Sequence, residues 1–239
     1  MNKRALQKDA FLAAFPYTIP ILTGFLFLGA AYGIYMNVSG FNAAYSILMS
    51  LVIFAGSVQF LVVGLLLGVF DPLGALLLTL MVNARHLFYG IAMLDIYKGT
   101  GMKKPYLIFG LCDESFSINC TVDVPGGVDR GWFMFFVTLL NHSYWVLGTV
   151  IGCAFGFLIQ FNTAGLEFVM TALFVVLFLE QWRKEKTHYC ALLGLGIPLF
   201  CLFLLGGDNF LIPSMLLILG ALTLLRRPLE KKAGVVKCQ

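Results

Sequence analysis

Several short stretches of this 239-residue sequence set polar or ionisable side chains inside long apolar runs, and these are the positions that could do chemistry. The first holds Asn83, Arg85, His86 and Tyr89. On a helix, Asn83, His86 and Gly90 share one face, and Arg85 and Tyr89 another. Arg85 has two readings: a guanidinium near a helix end that snorkels to headgroups, or one inside the protein that grips a carboxylate bidentately. In the second reading His86, which titrates near physiological pH, can carry a proton. The next stretch is Cys112-Asp113-Glu114-Ser115-Phe116. Its adjacent acids point about 100° apart on a helix, so they take different partners. One can pair with Arg85 and the other can titrate; the plain alternative is a solvated loop. Asn141-His142-Ser143 follows, and a histidine there reads more readily as a satisfied packing residue than as a proton carrier. Finally, Gly56-Ser57 with Gln59 suggests exposed backbone inside a span, where freed N–H groups at a half-helix N-terminus can take a carboxylate. Close packing by small residues is the other reading of that stretch.

The elements that must position these groups follow from composition. Hydrophobic residues make up 60% of the chain and charged residues 12%, against roughly 45–50% and about 25% in soluble domains. A soluble fold this apolar would expose large greasy patches. In lipid only helices or closed barrels satisfy every backbone group. The apolar runs are long and continuous, unlike the alternating segments of a barrel, so the expected class is all-α: a polytopic transmembrane helix bundle of about seven to eight membrane segments. The candidate runs are 11–35, 43–69, 72–94, 105–122, 132–160, 166–182, 189–206 and 210–225. Runs 43–69 and 132–160 are long enough to be broken or tilted, the first around Gly56, the second at Gly148, Gly152 and Gly156. Run 105–122 carries Asp113 and Glu114 and has the character of a re-entrant segment. The cysteines form no CxxC pair, and the expectation is that they are reduced.

Lysine and arginine near span ends set orientation. Lys3, Arg4 and Lys8 place the N-terminus inside; Arg183, Lys184 and Lys186 mark an inside loop; Arg226, Arg227, Lys231, Lys232 and Lys237 place the C-terminus inside. Eight crossings satisfy all three clusters and leave Lys98, Lys103 and Lys104 outside, against the rule. Either 105–122 is no simple span or an earlier run is a hairpin. Seven crossings would put the termini on opposite sides. The net charge of +4 sits at the ends and in short loops, which points to orientation and not to a nucleic-acid surface.

A candidate internal repeat runs through one transporter domain. Gly29-Ala30-Ala31-Tyr32-Gly33 reappears 123 positions on as Gly152-Cys153-Ala154-Phe155-Gly156, suggesting repeat halves 11–122 and 132–225. Internal duplication is common in secondary transporters, with the site at the repeat interface. Three spans per copy would make the repeats inverted, four parallel.

The motifs resemble the AzlC family of branched-chain amino acid permeases. The resemblance rests on Phe54-Ala55-Gly56-Ser57-Val58-Gln59-Phe60, on Val82-Asn83-Ala84-Arg85-His86-Leu87-Phe88-Tyr89-Gly90, on Asp113-Glu114-Ser115-Phe116 and on Trp145-Val146-Leu147-Gly148-Thr149. The stretch from Leu166-Glu167-Phe168 to Thr171-Ala172-Leu173-Phe174 fits too, with Glu167 where the family pattern has Asp. The resemblance implies export of amino acids of the valine, leucine and isoleucine class across the cytoplasmic membrane, and a small membrane partner of the AzlD type. Direction of transport comes from the resemblance alone. The expected substrate-binding set is Gly56, Ser57, Gln59, Asn83 and Arg85; the expected proton-coupling set is His86, Asp113 and Glu114. No cofactor or metal and no nucleic acid is expected, and the partners are the lipid bilayer, the amino acid and the small subunit.

Two other classes compete. An intramembrane hydrolase would need Ser57 and His142 as a dyad, without a recognisable elbow. A non-transporting membrane scaffold needs no site at all. No GxxxxGK[ST] occurs, so ATP would require another subunit, and no HExxH occurs.

Overall fold

The structure is a computed structural model of the chain, and it describes residues 3–158, 188–206 and 210–224, with residues 175, 178, 179, 182 and 183 between them. Every regular element among the described residues is helical. Two compact units divide the chain, 1–164 with 238–239, and 165–237.

The first unit is built on two long helices. Helix α1, Lys3–Val38, and the helix of Arg130–Leu158 are both long and apolar enough to cross a membrane. They run parallel. Phe11 meets Phe136, Phe25 meets Trp145, and the Thr18 and Tyr144 hydroxyls lie 3.2 Å apart. Glycine permits this contact. A Cβ at Gly29 would lie 2.7 Å from the Trp145 carbonyl oxygen, and one at Gly152 would fall on the backbone of Ala30. Without side chains there the two backbones touch, and dispersion replaces the hydrophobic drive that lipid cannot supply. The two stretches that match 123 positions apart are therefore packed against each other. Of the two readings of 132–160, broken or tilted, the break is not found: Arg130–Leu158 is one helix, and its glycines serve close approach to α1.

Between the long helices, the chain makes two hairpins and one kinked crossing. At the far end of α1, Gly40 turns with φ +87°, and Asn42 Oδ1 caps α2, Ala43–Val52, by accepting from the Ala44 N–H at 3.2 Å. Residues 53–55 end that helix, and α3, Gly56–Leu67, runs back. The reversal is read from its neighbours. Phe54 lies level with Phe25 of α1, whereas Phe60 lies level with Tyr32 and Tyr35, nearer the end from which α2 entered. Ten and twelve residues make about 15 and 18 Å of helix, half a hydrocarbon core.

Helices α4, Pro72–Val82, and α5, Ala84–Met93, then cross to the end where α1 begins, interrupted by Asn83 at φ −94°, ψ 10°. Met93 and Tyr97 join Ala14, Leu107 and Phe133 in a core cluster at that end. Here the basic residues gather. Lys98 donates to Asp95 at 2.7 Å, and that hydrogen bond, with the lysine charge, holds the Asp95 carboxyl below its usual range. After a 3-10 turn at Gly101–Lys103, α6, Lys104–Phe109, enters, residues 110–112 turn, and α7, Asp113–Thr121, returns. Both mouths of this second hairpin lie together. Lys103 Nζ is 3.7 Å from Asp129 and 4.3 Å above the Trp132 ring, at the start of helix α8, Arg130–Leu158.

Runs 43–69 and 105–122 thus fold back toward the ends they left, in keeping with the reading of a break around Gly56 in the first and of a re-entrant segment in the second. Their helices are too short to span. The conflict over Lys98, Lys103 and Lys104 also disappears, since these share an end with Arg4 and Lys8. Outward faces carry large apolar side chains, such as Leu73, Leu76, Leu77 and Leu80 on α4, the coat a bilayer demands and water penalises. In the second unit, α9, Tyr189–Leu205, and α10, Leu211–Leu224, pack as a helical pair. Most of run 166–182, with Glu167, Phe168 and the residues to Phe174, lies outside the described residues, as do Lys184, Lys186 and the C-terminal basic cluster. Cys112, Cys153 and Cys201 hold free thiols, while Cys120 is disulfide-bonded, contrary to the expectation of reduced cysteines throughout.

Candidate functional site

The two hairpins enter from opposite ends, and their tips meet α8 at neighbouring residues. At the first tip Gln59, fully buried, fastens the reversal. Its amide nitrogen donates to the carbonyls of Met49, at 3.1 Å, and Ile53, and its Oε1 accepts from Trp145 Nε1 at 2.8 Å. Both amide protons are committed inside the protein. Gly56 must be glycine here, because a Cβ would stand 2.7 Å from the Trp145 ring. Ala55, the residue before α3, gives no side-chain cap. The N–H groups that open α3, from Gly56 and Ser57, therefore present the positive end of a helix part-way through the bundle.

At the second tip, Gly110 lies against α8 so closely that a Cβ would fall on the Thr138 methyl. Helix α7 opens with Asp113 and Glu114, whose charges suit its N-terminus. Ser115 is fully buried; its Oγ accepts from Asn141 Nδ2 at 3.2 Å and lies 3.2 Å from Cys112 Sγ.

His142 stands between the tips. Its Nδ1 is 3.1 Å from the Tyr106 hydroxyl on α6, and its Nε2 is 3.3 Å from the Ser50 carbonyl on α2. Ser50 Oγ meets Thr149 Oγ1 at 2.8 Å. Because both ring nitrogens are occupied in this way, the Ser57–His142 dyad of a hydrolase is not formed.

The kink at Asn83 lies beside the second hairpin. Tyr89 of α5 stacks on Phe116 of α7 at 4.4 Å, and Asn119 donates to the Tyr97 hydroxyl at 3.4 Å. Both helices run toward the end where α1 begins, with His86 one turn before Tyr89 and Asp113 one turn before Phe116. The His86 ring lies 5.8 Å from that of Tyr89. Asn83 Oδ1 is buried without a hydrogen-bond partner, an unusual state for an amide oxygen. Arg85 stands in the first turn of α5; its side chain lies outside what the structure describes.

Sequence reasoning picked out Gly56, Ser57 and Gln59, which form one tip; Asp113 and Glu114, which open the other; and Asn83 and His86 beside the latter. It missed Ser50 and Tyr106, named Ser115, Asn141 and Thr149 only as members of longer stretches, and read His142 as a satisfied packing residue more readily than as a proton carrier, without its link to both tips. One signal was there: Thr138, Asn141, His142, Trp145 and Thr149 recur at helical spacing along one face of an otherwise apolar helix.

A family model described as "AzlC protein" matches residues 20–159, from the middle of α1 through both hairpins to the end of α8. The chain is 66% identical over 231 residues to the branched-chain amino acid transport protein AzlC of Bacillus subtilis (strain 168), covering 97% of this chain and 91% of that protein. It is 50% identical over 230 residues to an uncharacterized membrane protein of Haemophilus influenzae, covering 96% and 94%. To a membrane protein of Helicobacter pylori (strain J99), also uncharacterized, it is 40% identical over 221 residues, covering 92% and 97%. No solved structure matches the chain.

Proposed function

The chain belongs to the AzlC family of membrane proteins, and from that premise we propose that it is a secondary transporter exporting valine, leucine and isoleucine across the cytoplasmic membrane. The observation that carries this reading is the pair of opposed hairpins whose tips meet on Asn141 and His142. A path closed from each end by a separate element is what alternating access requires, and broken helices near the midplane are a common way to build such sites. The relative from Bacillus subtilis is named for branched-chain amino acid transport, and its near-full-length likeness supports the same substrates here.

In this reading the N–H groups of Gly56 and Ser57 receive the substrate carboxylate at the uncapped start of α3. Arg85 is the second proposed carboxylate ligand, and the orphan Asn83 oxygen is suited to an ammonium group. Gln59 acts by holding the tip. His86 with Asp113 or Glu114 carries the coupling proton. The basic residues Arg4, Lys8, Lys98, Lys103 and Lys104 share one end, which by the positive-inside rule is cytoplasmic and places the N-terminus there. A small AzlD-type membrane protein completes the exporter.

Purified protein reconstituted in liposomes, with and without the small subunit, tests this. Loaded leucine should exchange with labelled leucine outside, and an imposed pH gradient should drive net movement. Sealed liposomes that hold both subunits and show no exchange of leucine, isoleucine or valine would rule the reading out.

A further inference from the structure

Each hairpin gives His142 one hydrogen bond and an aromatic contact, the second adding the Tyr106 ring at 6.2 Å to that of Phe109. From the first come the Ser50 carbonyl, at 3.3 Å, and Phe54, with ring centroids 4.8 Å apart. From the second come the Tyr106 hydroxyl, at 3.1 Å, and Phe109, at 5.7 Å. A carbonyl can only accept, so Nε2 carries the proton, and Nδ1 is left to accept from the tyrosine hydroxyl. Among the described residues no carboxylate forms an ion pair with this ring, and its titratable neighbour is Tyr106. A neutral imidazole fits these partners fully, while a cation would be buried between two phenyl rings without a counter-ion.

We propose that His142 is a positioning residue, a neutral bridge that ties the two hairpins to one another through a single ring. This rests on the transport reading, which makes the hairpins the two closures of the path. Each hairpin is held at His142 by a single neutral hydrogen bond, so one tip can leave while the other stays docked. The ring biases the pair against releasing both at once, which would open a leak. Proton carriage stays with His86 and the acids of α7, and His142 does not exchange protons during the cycle.

Cys112, a free thiol at the tip of the second hairpin, reports its release without any need for substrate. The full chain in liposomes is treated with N-ethylmaleimide, and the extent of Cys112 alkylation is followed by peptide mass spectrometry. His142→Gln keeps one N–H donor and one acceptor. It should alkylate at the wild-type rate and retain leucine exchange to within about threefold, while His142→Phe and Tyr106→Phe should alkylate about tenfold faster. In His142→Phe the maximal exchange rate should fall about tenfold with little change in half-saturation, because the bridge acts on movement and not on binding. Unchanged Cys112 alkylation in both His142→Phe and Tyr106→Phe would overturn the bridge. So would a His142→Gln protein that exchanges leucine at equal pH but no longer responds to a pH gradient, which would make the ring a proton carrier. If the wild type with its partner exchanges no leucine, the transport reading fails, and the alkylation rates alone decide the bridge.

Discussion

Replacing Gln59 with leucine should disable the first hairpin while leaving the helices folded. The side chain makes three hydrogen bonds, two to the end of α2 and one from Trp145. Interhelical hydrogen bonds in a membrane protein average about 0.6 kcal/mol, so three contribute about 2 kcal/mol. Leucine fills similar volume but leaves the Trp145 N–H buried without a partner, which costs a further 1–3 kcal/mol or so. The total of about 3–5 kcal/mol shifts the balance between docked and released tip by roughly 150- to 5,000-fold. Leucine counterflow into liposomes, at matched amounts of monodisperse protein, reads the effect; the rate should drop at least tenfold. Trp145→Phe, which breaks one of the three bonds, should lose less. A Gln59→Leu protein exchanging leucine within twofold of wild type would refute the idea that this amide holds the tip, whatever the substrate site proves to be.

Gly152→Val should separate α1 from α8, since the added carbon meets the Ala30 backbone, which cannot yield; overpacking of about 1–3 kcal/mol should appear as a lower melting temperature in detergent. Gly64→Ala, with no neighbour within 4 Å, should melt like wild type. His86→Ala and Asp113→Asn should each abolish leucine movement driven by a pH gradient yet preserve exchange at equal pH; gradient-driven rates unchanged in both, and in Glu114→Gln, would remove these groups from coupling.

The polar side chains within apolar runs were legible in the sequence because hydrocarbon tolerates them only when they face protein, and each tip contains one such set. The direction of the chain was not. Hydropathy is identical whether a run continues or folds back, so the length of 43–69 and its Gly56-Ser57 pair suggest a break but not that residues 53–55 reverse the chain. The second hairpin left a trace in charge: Lys98, Lys103 and Lys104 conflict with the positive-inside rule if 105–122 is a simple span, and Lys103 in fact lies beside Asp129 and Trp132. Glycine misled in α8 because the same residue serves breaks and close contacts, and only the position of α1 tells them apart. His142 reads as a satisfied packing residue, but that its partners are Ser50 and Tyr106 was not legible, because they lie 92 and 36 residues away along the chain.

The opposed hairpins are the core of the account, and sidedness tests them most directly. Single cysteines at Phe41, Phe70, Lys98 and Val124, in a chain with its native cysteines replaced, can be labelled with an impermeant maleimide in right-side-out and inverted vesicles. Phe41→Cys and Phe70→Cys should label from one face, and Lys98→Cys and Val124→Cys from the other. Labelling of Lys98→Cys and Val124→Cys from opposite faces would make 105–122 a true crossing and would contradict the meeting of the two tips at His142.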